Sequence, residues 1–424
     1  MRPLLPFATP LLLALNSPLS ADFSFTPLTS SAWQGMSADP DVLHTRPLML
    51  PAGFSQRILS DETHLDIYKG NDWTDMQVLN ESGKDAGRYL YRTHEVRRHN
   101  DRHRDGREGG TVSVVDLSTG STTIFALRED WEAIDGLLWT RWNSLLVTEE
   151  QKRDSSPDPD YPGAARGLVY ELFPEPDDPR QLARILPRPL LGSLTHEGIE
   201  QDDQGNIYVI DEDEAGAIYR FVPDRYGDLE SGRLFALRVA DDRQTGPAEW
   251  TPLQLDRKTF DARGAARKAG ATAFCRPEDL ERIGKTLYVA LTCEERDGAV
   301  LSIRLGTENP DVHYFVKPGR NVAAENSRLR QTGFRNPDNL ANGPDGRLWI
   351  SEDNAPGDIW VADPDRDGDG YSDRVELFAS LRDEGGEPSG IYFGRNPARL
   401  FLSIQHSSTG NDKTLIIEKD RAPE

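Results

Sequence analysis

One pattern recurs along the chain and constrains the fold more than any other feature. An acidic residue is followed by one or two apolar residues, a polar turn rich in Gly or Asn, a short apolar strand and a second acidic cluster. In three copies the second cluster starts 14 residues after the first acid. Asp135 leads to Glu149-Glu150 across LLVT, Glu197 to Asp211 and Asp213 across IYVI, and Asp338 to Glu352-Asp353 across LWIS. Looser copies run from Glu278 to Glu294-Glu295, from Glu387 to Gln405-His406 and from Asp75 (or Asp72) to His94-Glu95. The anchor acids fall at 75, 135, 197, 278, 338 and 387, with spacings of 60, 62, 81, 60 and 49 residues. Similar units at irregular spacing fit propeller blades with variable loops better than a solenoid.

The rest of the chain agrees with that reading. Apolar runs of four to seven residues, bounded by turn residues, occur at 88–91, 111–116, 144–147, 167–172, 206–210, 217–221, 286–291, 299–305, 347–350, 358–361, 400–404 and 415–418. They read as strands. Helical periodicity is confined to 262–273 (ARGAARKAGATA). The expectation is an all-β chain folded as a six-bladed β-propeller with a central acid-lined channel, in one domain over residues 22–424.

In a propeller the innermost strands line the channel, so acids at equivalent positions on each blade converge. Six or more gathered carboxylates are costly unless cations neutralise them. Oxygen ligands select Ca²⁺ or Mg²⁺, and histidine admits iron, zinc or manganese. His94, His196 and His406 accompany the repeat, whereas the other histidines do not. His196 and His406 are therefore candidate catalytic groups. A second metal signal is local. Asp365, Asp367, Asp369, Asp373 and Glu376 occupy positions 1, 3, 5, 9 and 12 of a calcium loop. Gly370 takes the sharp turn at position 6, and Tyr371 offers its carbonyl at position 7. Flanks that read as strands place this loop at 365–376 inside a blade, where it braces the fold.

The first 21 residues, MRPLLPFATPLLLALNSPLSA, combine Arg2, a short apolar run and a small-residue cleavage site. They read as a secretory signal peptide, which implies a periplasmic or secreted protein. No later run is long and apolar enough for a membrane span. In an oxidising compartment Cys275 and Cys293 either pair or remain two buried thiols. A net charge of −22 argues against nucleic-acid partners. No G-x-S-x-G elbow, P-loop or Rossmann fingerprint is present.

Taken in order, THE at 93–95, TEE at 148–150, HEG at 196–198, Arg276-Pro277-Glu278, PDN at 337–339 with SED at 351–353, Glu387-Pro-Ser-Gly and Ile404-Gln405-His406 resemble the motifs of the PhoX family of secreted alkaline phosphatases. The resemblance runs from about residue 70 to 410. It implies a six-bladed propeller that hydrolyses small phosphate esters at a centre of iron (Fe³⁺) and calcium ions. By motif, Glu197 and Glu278 are metal ligands, and Arg276 holds phosphate oxygens. Glu95, Glu150, Asp338, Glu352 and Glu387 are further ligand candidates. Three features depart from the family. Asp135 stands where its phosphatases carry a cysteine iron ligand, the leader lacks twin arginines, and the chain is short. Two other functions compete with this one. A calcium-dependent propeller can hydrolyse another ester, such as a lactone, and a calcium-binding propeller can serve as a non-catalytic scaffold.

Overall fold

A computed structural model describes residues 23–65, 72–97, 109–150, 157–307, 309–395 and 398–420. The leader expected at 1–21 lies outside these residues.

The chain forms antiparallel meanders, each running outward from an innermost strand. The innermost strands are Thr74–Leu79 in blade 1, Ile134–Trp139 in blade 2, Ile199–Gln201 in blade 3, Pro277–Ile283 in blade 4, Pro337–Asn342 in blade 5 and Glu387–Arg395 in blade 6. Among the described residues the hydrogen-bonded sheets number five, because blades 3 and 4 are fused into one nine-stranded sheet. Gly246–Pro252 extends blade 3 outward and pairs with Asp311–Val316, the outermost strand of blade 4. Blade 6 takes its outermost strand from the N-terminal region. Phe54–Asp61 pairs with Lys413–Lys419, from Phe54 opposite Lys419 to Asp61 opposite Lys413. That pairing closes the ring.

The core shows how neighbouring blades are joined. Each second strand is buried on both faces, and its alternate side chains enter two different apolar clusters. In blade 3, Ile207 and Val209 pack toward Leu146 and Val169 of blade 2. Tyr208 and Ile210 pack toward Leu280 and Val289 of blade 4. In blade 5, Leu348 and Ile350 join Tyr288 and Val300 of blade 4, while Trp349 joins Leu400 and Leu415 of blade 6. Tyr91 of blade 1 meets Leu145 and Tyr170 of blade 2. Leu90 and Val115 meet Phe401 and Ile416 of blade 6. One cluster thus lies between each successive pair of blades. All of the apolar runs read from the sequence as strands are second or third strands of a blade.

The expected helix is present as Ala262–Ala269, capped by the Asp261 side chain on Gly264 N–H and ended by Gly270 in the left-handed conformation. It lies in the insert before blade 4, and Ala262 and Ala266 seal the blade 2–blade 3 cluster. Among the described residues no helix is long and apolar enough to cross a membrane.

Candidate metal centre

Each anchor acid stands at or just before the start of its innermost strand. Asp75, Asp135, Glu278 and Asp338 are the second residues of theirs, Glu387 is the first of its own, and Glu197 precedes Ile199 by two. The six therefore meet at one mouth of the channel. Glycine permits the approach in two places. A Cβ on Gly136 would stand 1.8 Å from the Glu197 carbonyl, and one on Gly390 would stand 2.0 Å from the Asp75 carbonyl. Inner strands of neighbouring blades could not come so close with any other residue. A cavity of about 390 Å³ occupies the other half of the channel, lined by all six innermost strands and including Glu200, Asp279 and Glu281.

A second ring comes from the ends of the second strands. In five blades the carbonyl two residues before the anchor accepts the same hydrogen bond. Trp73 accepts from Glu95 N–H (2.9 Å), Ala133 from Glu150 (2.9 Å), Thr195 from Glu212 (2.8 Å), Arg276 from Thr292 (3.1 Å) and Asn336 from Asp353 (3.0 Å). Trp73, Ala133, Arg276 and Asn336 hold positive φ there, between 42° and 49°. The bend accompanies Glu95, Glu150 and Asp353 in their blades, whereas Glu212 makes the same bond to Thr195 without it. His406 supplies the sixth blade, with Nε2 3.9 Å from Glu387 Oε2 and its ring edge-on to Trp73.

The carboxylates are in contact. Candidate ligand oxygens of Asp75, Glu95 and Asp135 lie within 4.8 Å of one another, as do those of Glu197, Glu278 and Asp338. Glu95 meets Glu150, Glu150 meets Glu212, and Glu387 meets Asp338. Asp135 Oδ1, Glu197 Oε2 and Glu278 Oε1 are buried without a hydrogen-bond partner. Burial raises the pKa of Asp75, Glu95, Asp135, Glu197, Glu212, Glu278, Asp338 and Glu387, and repulsion adds to it. Asp75 is pushed up to about 6 and Glu212 to about 9, whereas Asp135, Glu197, Asp338 and Glu387 rise well above the usual range. Buried acceptors with no donor are what bound cations satisfy. The donor set, all oxygen apart from one imidazole at the edge, fits hard cations. Calcium needs nothing more, and ferric iron also accepts carboxylate ligands.

Among the described residues, two arginines border the ring. Arg276 Nη2 pairs with Glu212 at 2.7 Å, and its Nε stands 3.0 Å from Glu278 Oε1 at an angle that makes no hydrogen bond. Arg97 pairs with Glu95 and, at 2.9 Å, with Glu150. Cys275 and Cys293 form a disulfide, which the sequence left open. It fastens the residue before Arg276 to the turn that follows the second strand of blade 4.

The structure departs from three sequence expectations. Glu352 does not join the centre. Its Oε1 accepts from Arg335 N–H and Trp360 Nε1, both at 2.7 Å, and its neighbour Asp353 takes the place in the ring. Successive strand residues point to opposite sides, so an offset of one selects the wrong acid. Glu149 and Asp211 are internal caps of the same kind, bound to Glu132 N–H and Thr195 N–H. Arg263 neutralises Asp211 and Asp213 on either side of Glu212. His196 also turns away. It is fully buried, its Nε2 is 3.0 Å from the Gly192 carbonyl, and burial lowers its pKa to about 4. In the loop at 365–376, oxygens of Asp365, Asp367 and Asp373 gather within 4.8 Å. Asp369 accepts from Tyr371 N–H, and Glu376 lies on the strand Val375–Leu381 paired with Arg374 at 3.2 Å. Neither belongs to that group. Glu212, Asp353 and Arg97 are the residues that sequence reasoning missed. The repeat contained the first two, one position beyond the acids it was aligned on.

The family described as alkaline phosphatase PhoX matches residues 139–408, well over half of the chain. The chain belongs to the PhoX family. Membership places it among phosphoric ester hydrolases. Among solved structures, Pseudomonas fluorescens PhoX in complex with vanadate, a transition state analogue, aligns over 95% of this chain and 98% of its own, at 17% identity and a TM-score of 0.63. A putative gluconolactonase covers 90% of this chain and 97% of its own at 14% identity, and its TM-score of 0.41 carries no argument. A comparison with curated protein sequences finds no match.

Proposed function

We propose that this chain is an extracytoplasmic, metal-dependent phosphomonoesterase working at the mouth of the propeller channel. The observation that carries this is Arg276, a guanidinium held at the edge of a ring of buried, cation-seeking carboxylates. Asp75, Glu95, Asp135, Glu150, Glu197, Glu212, Glu278, Asp338, Asp353 and Glu387 would hold the cations, calcium first and ferric iron near Asp135. Bound there, they supply Lewis acidity toward phosphoryl oxygens and a nucleophilic oxygen at neutral to alkaline pH. The chain's own groups do the rest. Arg276 presents a planar fork to the non-bridging oxygens and to the charge that grows on them. The Cys275–Cys293 bridge limits the loop that carries it. His406 is half-buried, and burial keeps its imidazole neutral at the pH of an alkaline phosphatase. It can take a proton at Nε2 beside Glu387. The disulfide, together with the apolar leader at 1–21, supports a periplasmic or secreted location.

The test is release of inorganic phosphate from p-nitrophenyl phosphate by purified mature protein whose calcium and iron have been counted. Phosphate release that disappears on chelation and returns with the metals supports the reading. A fully metal-loaded protein that releases none from a panel of monoesters defeats it.

A further inference from the structure

We infer that Glu62, Asp72 and Asp412 form a separate metal site that takes one hard divalent cation of the calcium class and fastens the closure of the blade ring. Glu62 directly follows the N-terminal strand Phe54–Asp61, and Asp412 directly precedes its partner Lys413–Lys419. Asp72 leads into the innermost strand of blade 1. Two N-terminal acids ten residues apart thus meet one from the C-terminal end of the chain at the seam, and their candidate ligand oxygens lie within 4.8 Å of one another. Asp72 is 4% exposed and Asp412 is fully buried. Asp72 Oδ1 and Asp412 Oδ2 nonetheless have no hydrogen-bond partner.

The neighbouring groups leave those oxygens unmet. Glu62 Oε1 accepts from the backbone N–H groups of Asp72 (3.0 Å) and Asp412 (3.3 Å), which draws the segments together. Asp412 Oδ1 accepts from Ser407 N–H at 2.9 Å. His94 Nδ1 is 3.7 Å from Asp72 Oδ2 and bonds instead to the Asp72 carbonyl at 3.0 Å. Among the described residues, two cations lie nearby without bonding those oxygens. Lys413 Nζ donates to the Leu43 carbonyl (3.2 Å), and Arg92 donates to Thr414 Oγ1 (2.8 Å) and Ser113 Oγ (3.2 Å), while its Nη2 has no hydrogen-bond partner. The charges acting most strongly on Asp72 are Asp412, Arg92 and Glu62, none of them from the central ring. Buried oxygens of one sign without donors, in an all-oxygen set, describe a hard-cation site.

Calcium per chain, counted by elemental analysis on the mature protein, tests the site independently of catalysis. The variant carrying Asp72→Asn and Asp412→Asn is expected to hold one calcium fewer than wild type. Its thermal midpoint should also respond less to added calcium. If that variant does not fold, Glu62→Gln alone should raise the calcium needed for half-maximal thermal stabilisation by about tenfold, since affinity follows ligand charge. An unchanged calcium count in the double variant, or an unchanged calcium requirement in Glu62→Gln, overturns the inference and leaves the three as carboxyls that share protons.

Discussion

At the residue scale, the site is a contest between buried like charges and the few cations near them. Arg276 touches Glu212 and Glu278 at once, so its removal does two things. It deletes the anion clamp and leaves two carboxylates uncompensated. Cations bound in the ring take over the second task, and only the first is lost in the loaded enzyme. Arg276→Ala should therefore lower kcat about 10²- to 10³-fold, the usual loss for one transition-state donor, with metal content unchanged. Steady-state kinetics paired with elemental analysis check this, and loss of metal in the variant would contradict it. Arg97 sits next along the ring, on Glu95 and Glu150. Arg97→Ala should cost on the order of tenfold in kcat/KM, the worth of one charged hydrogen bond. An unaltered kcat/KM would make Arg97 a structural counter-charge alone.

At the element scale, the same few devices recur. An anchor acid opens each innermost strand, and in four blades a bent residue with positive φ precedes it. Blade 4 alone adds a covalent device, the disulfide beside Arg276. A bridge closing a loop of this length is worth about 3 kcal/mol through the unfolded state. Replacing both cysteines by Ala should lower the thermal midpoint and kcat while leaving the metals in place. Retention of full turnover would show that the bridge does not position Arg276. The acidic loop at 365–376 in blade 5, as a candidate calcium site, predicts the opposite division of effects. Asp365→Asn with Asp367→Asn should reduce calcium-dependent thermal stabilisation and leave kcat unchanged. How much of this was legible follows from burial. Second and third strands such as Leu145–Glu149 and Ile207–Ile210 are buried on both faces and read as unbroken apolar runs. The innermost strands were not readable as strands. Acids begin Pro277–Ile283 and Pro337–Asn342, and Ile199–Gln201 is only three residues long. The outermost ones, such as Leu182–Pro187, are only partly buried and carry weak patterns. The anchors could be found because they recur. Glu212 and Asp353 could not be told from Asp211 and Glu352 without the backbone hydrogen bonds that set the register. Arg97 lies outside any repeat and left no signal.

At the scale of the whole molecule, the ring of blades forces acids together, and on the proposed function bound cations offset the cost. Its stability must then depend on pH and metal in a defined sense. In the metal-free chain, burial holds Asp75 protonated up to about 6, against 3.8 when free, and Glu212 up to about 9, against 4.5. Between those values the folded state binds more protons than the unfolded state. Stability therefore falls as pH rises, from the free carboxylate range through about 9. Cations reverse the slope, because binding requires the deprotonated ligands and displaces those protons. Chelated protein should show a thermal midpoint that declines steadily from pH 5 to pH 9. Protein with excess calcium should show a midpoint that holds level or rises over the same interval. The gap between the two curves should widen with pH, since the same protons appear in both equilibria with opposite sign. Parallel curves would mean that cations bind only at the exposed loop at 365–376 and that the central carboxylates keep their protons.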